Sequence, residues 1–204
     1  LTYQGHVFCT GTLITATTVL TAAHCLQGLQ PHEVRFALGS DGTQPQSSLQ
    51  VAELQPHPDY YDLQHDVARL RLASPAAVPP MGVVERMDAS FVGLPLVFVG
   101  YGVSDGQRQT GGGRKRSVAV PIHDLAPGTF SYRQEGGGTC HGDSGGPALH
   151  QDDAGRWLVA GVTSYGDATC RRFGVDTRVD AYLGFVLGPW STTGPGTGDT
   201  NPGP

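Results

Sequence analysis

Apolar and β-branched residues in this chain come in short runs, often alternating with polar ones, and turn-forming residues interrupt them every few positions. The runs HVFCTGTLIT, TVLTAA, EVRFALG, LQVAEL, DVARLRL, LPLVFVGYG, RSVAVPI, RWLVAGVTSYG and FGVDTRV read as strands. QPHPDYYD, SPAAVPPMG, SDGQRQTGGG and QDDAGR read as the turns between them. Strands and turns at such short intervals predict an all-β sandwich or barrel and argue against βαβ units. One stretch breaks the rhythm. VDAYLGFVL, residues 179–187, carries apolar positions at helical spacing, with Asp180 near its start and Gly188-Pro189 as a stop, which predicts a short C-terminal helix. The Gly/Pro/Thr-rich residues that follow have nothing to bury, so 188–204 is expected to be a flexible tail or linker. The strands fall into two halves of similar content about a midpoint near Pro79–Asp88.

A chain of 204 residues can hold one large all-β domain, or two small ones sharing a core. A net charge of −5 offers no electrostatic case for binding nucleic acid. No apolar run approaches the roughly 18 residues needed to cross a bilayer. The start, LTYQGHVFC, lacks the charged and then apolar regions of a signal peptide. The four cysteines divide into an early pair, Cys9 and Cys25, and a late pair, Cys140 and Cys170, with no zinc spacing. Such pairs fit two local disulfides and hence an oxidising compartment.

Candidate chemistry lies at three polar positions among apolar or small neighbours. His24 ends a strand-like run in TAAHC, Asp66 opens DVARLRL, and Ser144 sits in the glycine-rich stretch GGGTCHGDSGGPAL. A serine hydroxyl is a poor nucleophile until an imidazole takes its proton, and the imidazole needs a carboxylate to fix its tautomer. Taken singly, each of the three reads equally well as a structural residue. GDSGG also fits the G-x-S-x-G nucleophile elbow of α/β-hydrolase esterases, but that reading needs Asp and then His downstream of the serine, and the βα alternation is missing.

Together TAAHC, HDVARL, GDSGGP and SYG resemble the trypsin-like serine proteases of the chymotrypsin fold, from about Gly5 to Leu187. The resemblance implies two perpendicular six-stranded antiparallel β-barrels, over about 1–85 and 86–187, with the active site between them and a short terminal helix. It also implies peptide hydrolysis through an acyl-enzyme. Ser144 would be the nucleophile, His24 the general base and then acid, and Asp66 its orienting carboxylate. The N–H groups of Gly142 and Ser144 would form the oxyanion hole, and Ser164 would support Asp66. Tyr165 and Gly166 would pair with the substrate backbone, with Gly138, Thr139, His141, Gly174 and Asp176 around the specificity pocket. Cys9–Cys25 and Cys140–Cys170 would be the bridges. The resemblance further implies a secreted or extracellular monomer, at the cell surface or in a periplasm if not free, that acts on protein or peptide substrates and is activated by another protease. No cofactor and no metal are expected: LGSDGTQPQSSLQ offers Asp41 but no paired glutamates, and His57, His65 and Asp66 match no ligand spacing.

Two departures from the family pattern matter. The residue six before the nucleophile, where an aspartate selects Arg or Lys before the scissile bond (the P1 residue), is Gly138. Alternate strand residues share a face, so Gly174 and Asp176 would point together, and Asp176 is expected to reach the pocket floor and confer a basic P1 preference. The bland alternative has Asp176 bonding backbone behind a neutral pocket. In activated family members Asp143 pairs with a new N-terminal ammonium, typically at an Ile-Val-Gly-Gly start, whereas this chain begins at Leu1. A missing upstream segment, a zymogen-like arrangement, or a substitute cation such as Arg133 or Arg114 would account for that. A catalytically silent binding protein on the same fold is the competing class.

Overall fold

The computed structural model describes residues 1–190, so 191–204 of the expected tail lie outside the described residues. A first sheet is built from β1 (Thr2–Tyr3), β2 (His6–Val7), β3 (Thr12–Leu13), β4 (Thr18–Thr21), β5 (Val34–Leu38), β6 (Ser47–Pro56) and β7 (Ala68–Leu72). Their spatial order is β2-β1-β5-β6-β7-β4-β3. The second sheet contains β8 (Gly82–Val83), β9 (Pro95–Gly100), β10 (Arg116–Leu125), β11 (Thr129–Arg133), β12 (Pro147–Gln151), β13 (Trp157–Gly166) and β14 (Phe173–Arg178). These run β12-β9-β10-β11-β14-β13-β8, and β12 pairs with β13 as well, closing β9–β14 into a six-stranded barrel.

The two-barrel expectation holds in outline, with one half open. The first sheet forms a half-barrel whose edge strands β2 and β3 are only two residues long, too short to carry many closing hydrogen bonds. β6 serves both ends of that half-barrel. It pairs with β5 through Ser47–Gln50 and with β7 through Val51–Pro56, and a register shift between Val51 and Glu53 lets it bend between the two.

Alternation explains most strands. Leu96, Phe98 and Gly100 of β9 point inward while Pro95, Val97 and Val99 are less buried. β13 is buried continuously from Val159 to Ser164, because Val159 and Val162 join the first core and Ala160 the second. Each large apolar side chain so buried contributes about 1.5–3 kcal/mol. The C-terminal helix α1 (Leu183–Val186) follows a 3₁₀ turn over Asp180–Tyr182 and packs Val186 against the first core. Asp180 starts it by accepting from Met87 N (2.8 Å) and pairing with Arg178 (2.7 Å). Both expected disulfides form, across 16 and 30 residues of sequence, and closing loops of that size contributes roughly 3–4 kcal/mol each on the chain-entropy account. Among the described residues no helix is long and apolar enough to cross a membrane.

Candidate active site

His24 lies on the 3₁₀ turn His24–Leu26, just after the fully buried strand β4. Asp66 is wholly buried in the tight turn before β7, where Val67 N donates to His65 O (2.8 Å). The turn aims both carboxylate oxygens at His24. Oδ1 accepts from His24 N (2.9 Å), and Oδ2 meets His24 Nδ1 at 2.7 Å. Ser164 Oγ also donates to Oδ2, and Thr177 Oγ1 donates to Asp66 O (2.9 Å). Burial is the largest influence on Asp66 and would raise its pKa, yet the hydrogen bond and charge of His24, with the bond from Ser164, together hold it below the ordinary carboxylate value.

Ser164 reaches Asp66 because of an irregularity in β13. Thr163 pairs with Asp176 and Tyr165 with Val175 on β14, so Ser164 is the extra residue of a bulge. Bulges re-aim side chains in this way beside sites of chemistry. Beyond Val162 the pairing of β13 with β12 ends. Residues 164–166 therefore keep β14 on one side and an open edge on the other.

Ser144 occupies a turn anchored to both sheets. Its carbonyl accepts from Thr10 N (2.8 Å), Gly145 N donates to Thr163 O (2.7 Å), and Gly146 N donates to Asp143 O (2.8 Å). Gly142 and Gly145 have φ of +98° and +79°, a region that side chains with a Cβ rarely adopt. Among the described residues neither the Gly142 nor the Ser144 N–H has a hydrogen-bond partner. Cys25 Sγ lies 3.8 Å from His24 Nε2 and 3.7 Å from Ser144 O, so the Cys9–Cys25 bridge abuts both residues. His24 and Ser144 line one cavity of about 260 Å³ with Thr139, His141, Ser164, Tyr165 and Gly166.

Asp143 points away from that cavity. Its Oδ1 accepts from Gly102 N (2.7 Å) and its Oδ2 from Cys140 N (2.8 Å). Burial pushes its carboxyl up, and these two bonds and the charge of Arg116 only partly offset this. Among the described residues it has no ion pair. Arg133 instead pairs with Glu135 (3.8 Å) and Arg114 lies by Asp41, so of the alternatives for Asp143 the one with either of these as substitute cation is not what the structure has. The arginine whose charge acts on it is Arg116. A second cavity, of about 810 Å³, is lined by Asp143, Gly100, Gly102, Arg116 and Thr139.

Asp176 differs most from its expected place. It is wholly buried, accepting from Tyr132 Oη (3.1 Å) and Thr163 Oγ1 (3.5 Å). A Cβ on Gly174 would lie 2.4 Å from the Tyr132 ring, so the ring of β11 stands where an open pocket face was expected. Tyr132 Oη in turn meets Thr139 Oγ1 at 2.7 Å. Burial raises the Asp176 carboxyl well above its usual range. Elsewhere, His57 and His65 stack at 5.3 Å, with His65 Nδ1 facing Tyr182 Oη (3.1 Å). The cysteines beside His24 and His141 are locked in disulfides and offer no thiolate.

Sequence reading did not single out Thr10, Leu63, Tyr132, Gln134 or Thr177. Thr10 holds the nucleophile loop by accepting from Tyr101 N and donating to Gly142 O (2.9 Å), and Leu63 joins His24 on the cavity wall. Gln134, separated from the GGG run only by Glu135, was the most findable of them.

Residues 1–186 match the protein family described as Trypsin. The chain is 32% identical to a trypsin of Saccharopolyspora erythraea, over 92% of its own length and 88% of that protein. It is 29% identical to a trypsin-like protease of Streptomyces glaucescens, over 82% of this chain and 68% of that one. A tryptase of Mus musculus is 30% identical over 91% of this chain and 79% of its own.

Proposed function

This chain belongs to the trypsin family, and we propose that it is a serine endopeptidase that cleaves peptide bonds through an acyl-enzyme. One observation carries the reading: His24, paired with the buried Asp66 at 2.7 Å, lines a single cavity together with Ser144.

In this mechanism Asp66 holds the Nδ1–H of His24, leaving Nε2 free to accept the Ser144 proton as Oγ attacks the substrate carbonyl. The oxyanion that forms takes the N–H groups of Gly142 and Ser144, and one such donor typically lowers the barrier by about 2.7–4 kcal/mol. His24 then gives its proton to the leaving amine as the C–N bond breaks. Water then attacks the acyl carbon as His24 takes its proton, the ester bond to Ser144 Oγ breaks to release the acid, and His24 returns the proton to Oγ. The open edge of β13 at Tyr165 and Gly166 aligns the substrate as an added strand. Asp143, buried without an ion pair among the described residues, is assigned to receive the N-terminal ammonium that an activating protease frees by hydrolysing a peptide bond. The two disulfides and the family favour a secreted, extracellular protein acting on proteins or peptides.

Hydrolysis of a peptide library by the native protein and its Ser144→Ala variant tests this. The account expects cleavage by the first and a loss of roughly 10⁵–10⁶-fold in the second. A variant that cleaves as well as the parent, or a native protein that binds peptides without cleaving them, would overturn it.

A further inference from the structure

Gln134 follows β11 directly and is 2% exposed. Its Nε2 donates to Phe173 O (2.8 Å), which fixes which end of the amide is oxygen. Its Oε1 is buried with no hydrogen-bond partner. A Cβ built on Gly138 would fall 1.9 Å from that Oε1, and one on Gly166 would fall 3.3 Å from Nε2. The amide therefore fills the space that these two glycines leave empty. Gly166 lines the cavity shared by Ser144 and His24, whereas Gln134 and Gly138 line the cavity of about 810 Å³ behind it, and Thr139, Cys140 and Cys170 line both, so the amide stands at the divide. Burying an acceptor unsatisfied is unfavourable, and the Nε2 bond to Phe173 O accounts for only one end of the amide.

No charged side chain bonds the amide. Asp167, which lines the Ser144 cavity, is taken up by the N–H groups of Thr169, Arg171, Arg172 and Phe173, and Asp143 on the larger cavity by those of Gly102 and Cys140. Gly138 brings no carboxylate, Asp176 is sealed behind Tyr132 with no exposed surface, and Glu135 is exposed and paired with Arg133. A cation pushed as far as Gln134 would lose water and meet a neutral amide at that end. A long or aromatic side chain would have to displace the amide and break its bond to Phe173 O.

We propose that the Gln134 side chain is the end stop of the P1 pocket, making it shallow with a neutral end, so that the enzyme selects short uncharged P1 residues such as Ala, Ser, Thr or Val. This replaces the basic preference expected from Asp176. It rests on Ser144 being the nucleophile, because that makes the cavity beside it the place where the P1 side chain enters.

The test uses the native full-length protein with Gln134→Ala and Gln134→Glu. Each is assayed on peptide substrates that differ only in Ala, Val, Phe or Arg at P1. Binding of disulfide-cyclised peptide inhibitors carrying the same P1 series is measured in parallel, since they report pocket depth without turnover. In the native protein kcat/KM for Ala should exceed that for Phe and Arg at least tenfold. Gln134→Ala should shift the Phe-to-Ala ratio at least tenfold toward Phe, and Gln134→Glu should shift Arg-to-Ala at least tenfold toward Arg. A merely structural glutamine would give neither opposed shift. A native preference for Phe or Arg, or ratios within twofold of the parent in both variants, would overturn the proposal while leaving the protease reading intact. Inhibitor binding that follows the stated order without any hydrolysis would keep the pocket and defeat the chemistry. Absence of both would defeat both.

Discussion

Two buried aspartates show how the same side chain takes opposite characters from its partners. Asp66 is held charged by His24 and Ser164 against its burial, whereas Asp176 has only two hydroxyl donors and burial wins. The consequence for stability follows from proton binding. A carboxyl whose folded pKa lies above its unfolded value binds more protons in the fold, so Asp176 makes the fold less stable as pH rises from about 3.8 through its raised folded value. Asp66, with a lowered pKa, contributes stability that is complete above the ordinary carboxylate range and lost as pH falls through its folded value. Asp176→Asn should therefore raise Tm by a few °C at pH 7–8, about 1 kcal/mol moving Tm roughly 2–4 °C at this size, with the gain shrinking toward pH 4. Thermal melts across pH check this, and a variant less stable than the parent at every pH would contradict it. Asp66 was legible in HDVARL, since a charged residue opening an alternating strand invites a role. Asp176 was legible only as far as its face of β14. Alternation along one strand says nothing about the Tyr132 ring that arrives from β11 to cover Gly174.

Among the elements, β13 and the loop over 140–146 set the geometry. Short alternating runs revealed β9, β10, β13 and β14, and helical spacing revealed the turn and helix over Asp180–Val186. The bulge at Ser164 and the tight turn at Asp66 left no trace in the sequence, because both depend on register with neighbouring segments. Glycine density did announce the loop, and Gly145 shows why. At φ +79° a Cβ there would sit 2.1 Å from Thr21 Oγ1 and 2.5 Å from Thr10 O, two groups that bond each other on the half-barrel side against which the loop is docked. Left-handed backbone alone costs a residue with a Cβ about 1–2 kcal/mol, and these overlaps add to it. Gly145→Ala should lower unfolding free energy by more than about 2 kcal/mol and cut activity with it. Denaturant unfolding measures the first, and a variant of parental stability would show that the loop is less tightly docked than described.

For the molecule as a whole, the working groups come from opposite halves. His24 and Asp66 belong to the half-barrel and Ser144 and Ser164 to the closed barrel, held together by bonds such as Thr10 N to Ser144 O and Thr177 Oγ1 to Asp66 O. The sequence made this arrangement readable through its motifs, since TAAHC, HDVARL and GDSGGP lie far apart along the chain and are meaningful only if the fold unites them. It did not reveal that the first half stays open, because closure depends on how far the two-residue edge strands extend. The most direct measurement of the central claim is peptide mapping by mass spectrometry after reaction with a fluorophosphonate, on the native protein and on His24→Ala. The account predicts one adduct, on Ser144, formed rapidly in the native protein and lost in the variant. An unmodified Ser144 in protein that hydrolyses peptides, or equal labelling without His24, would contradict it.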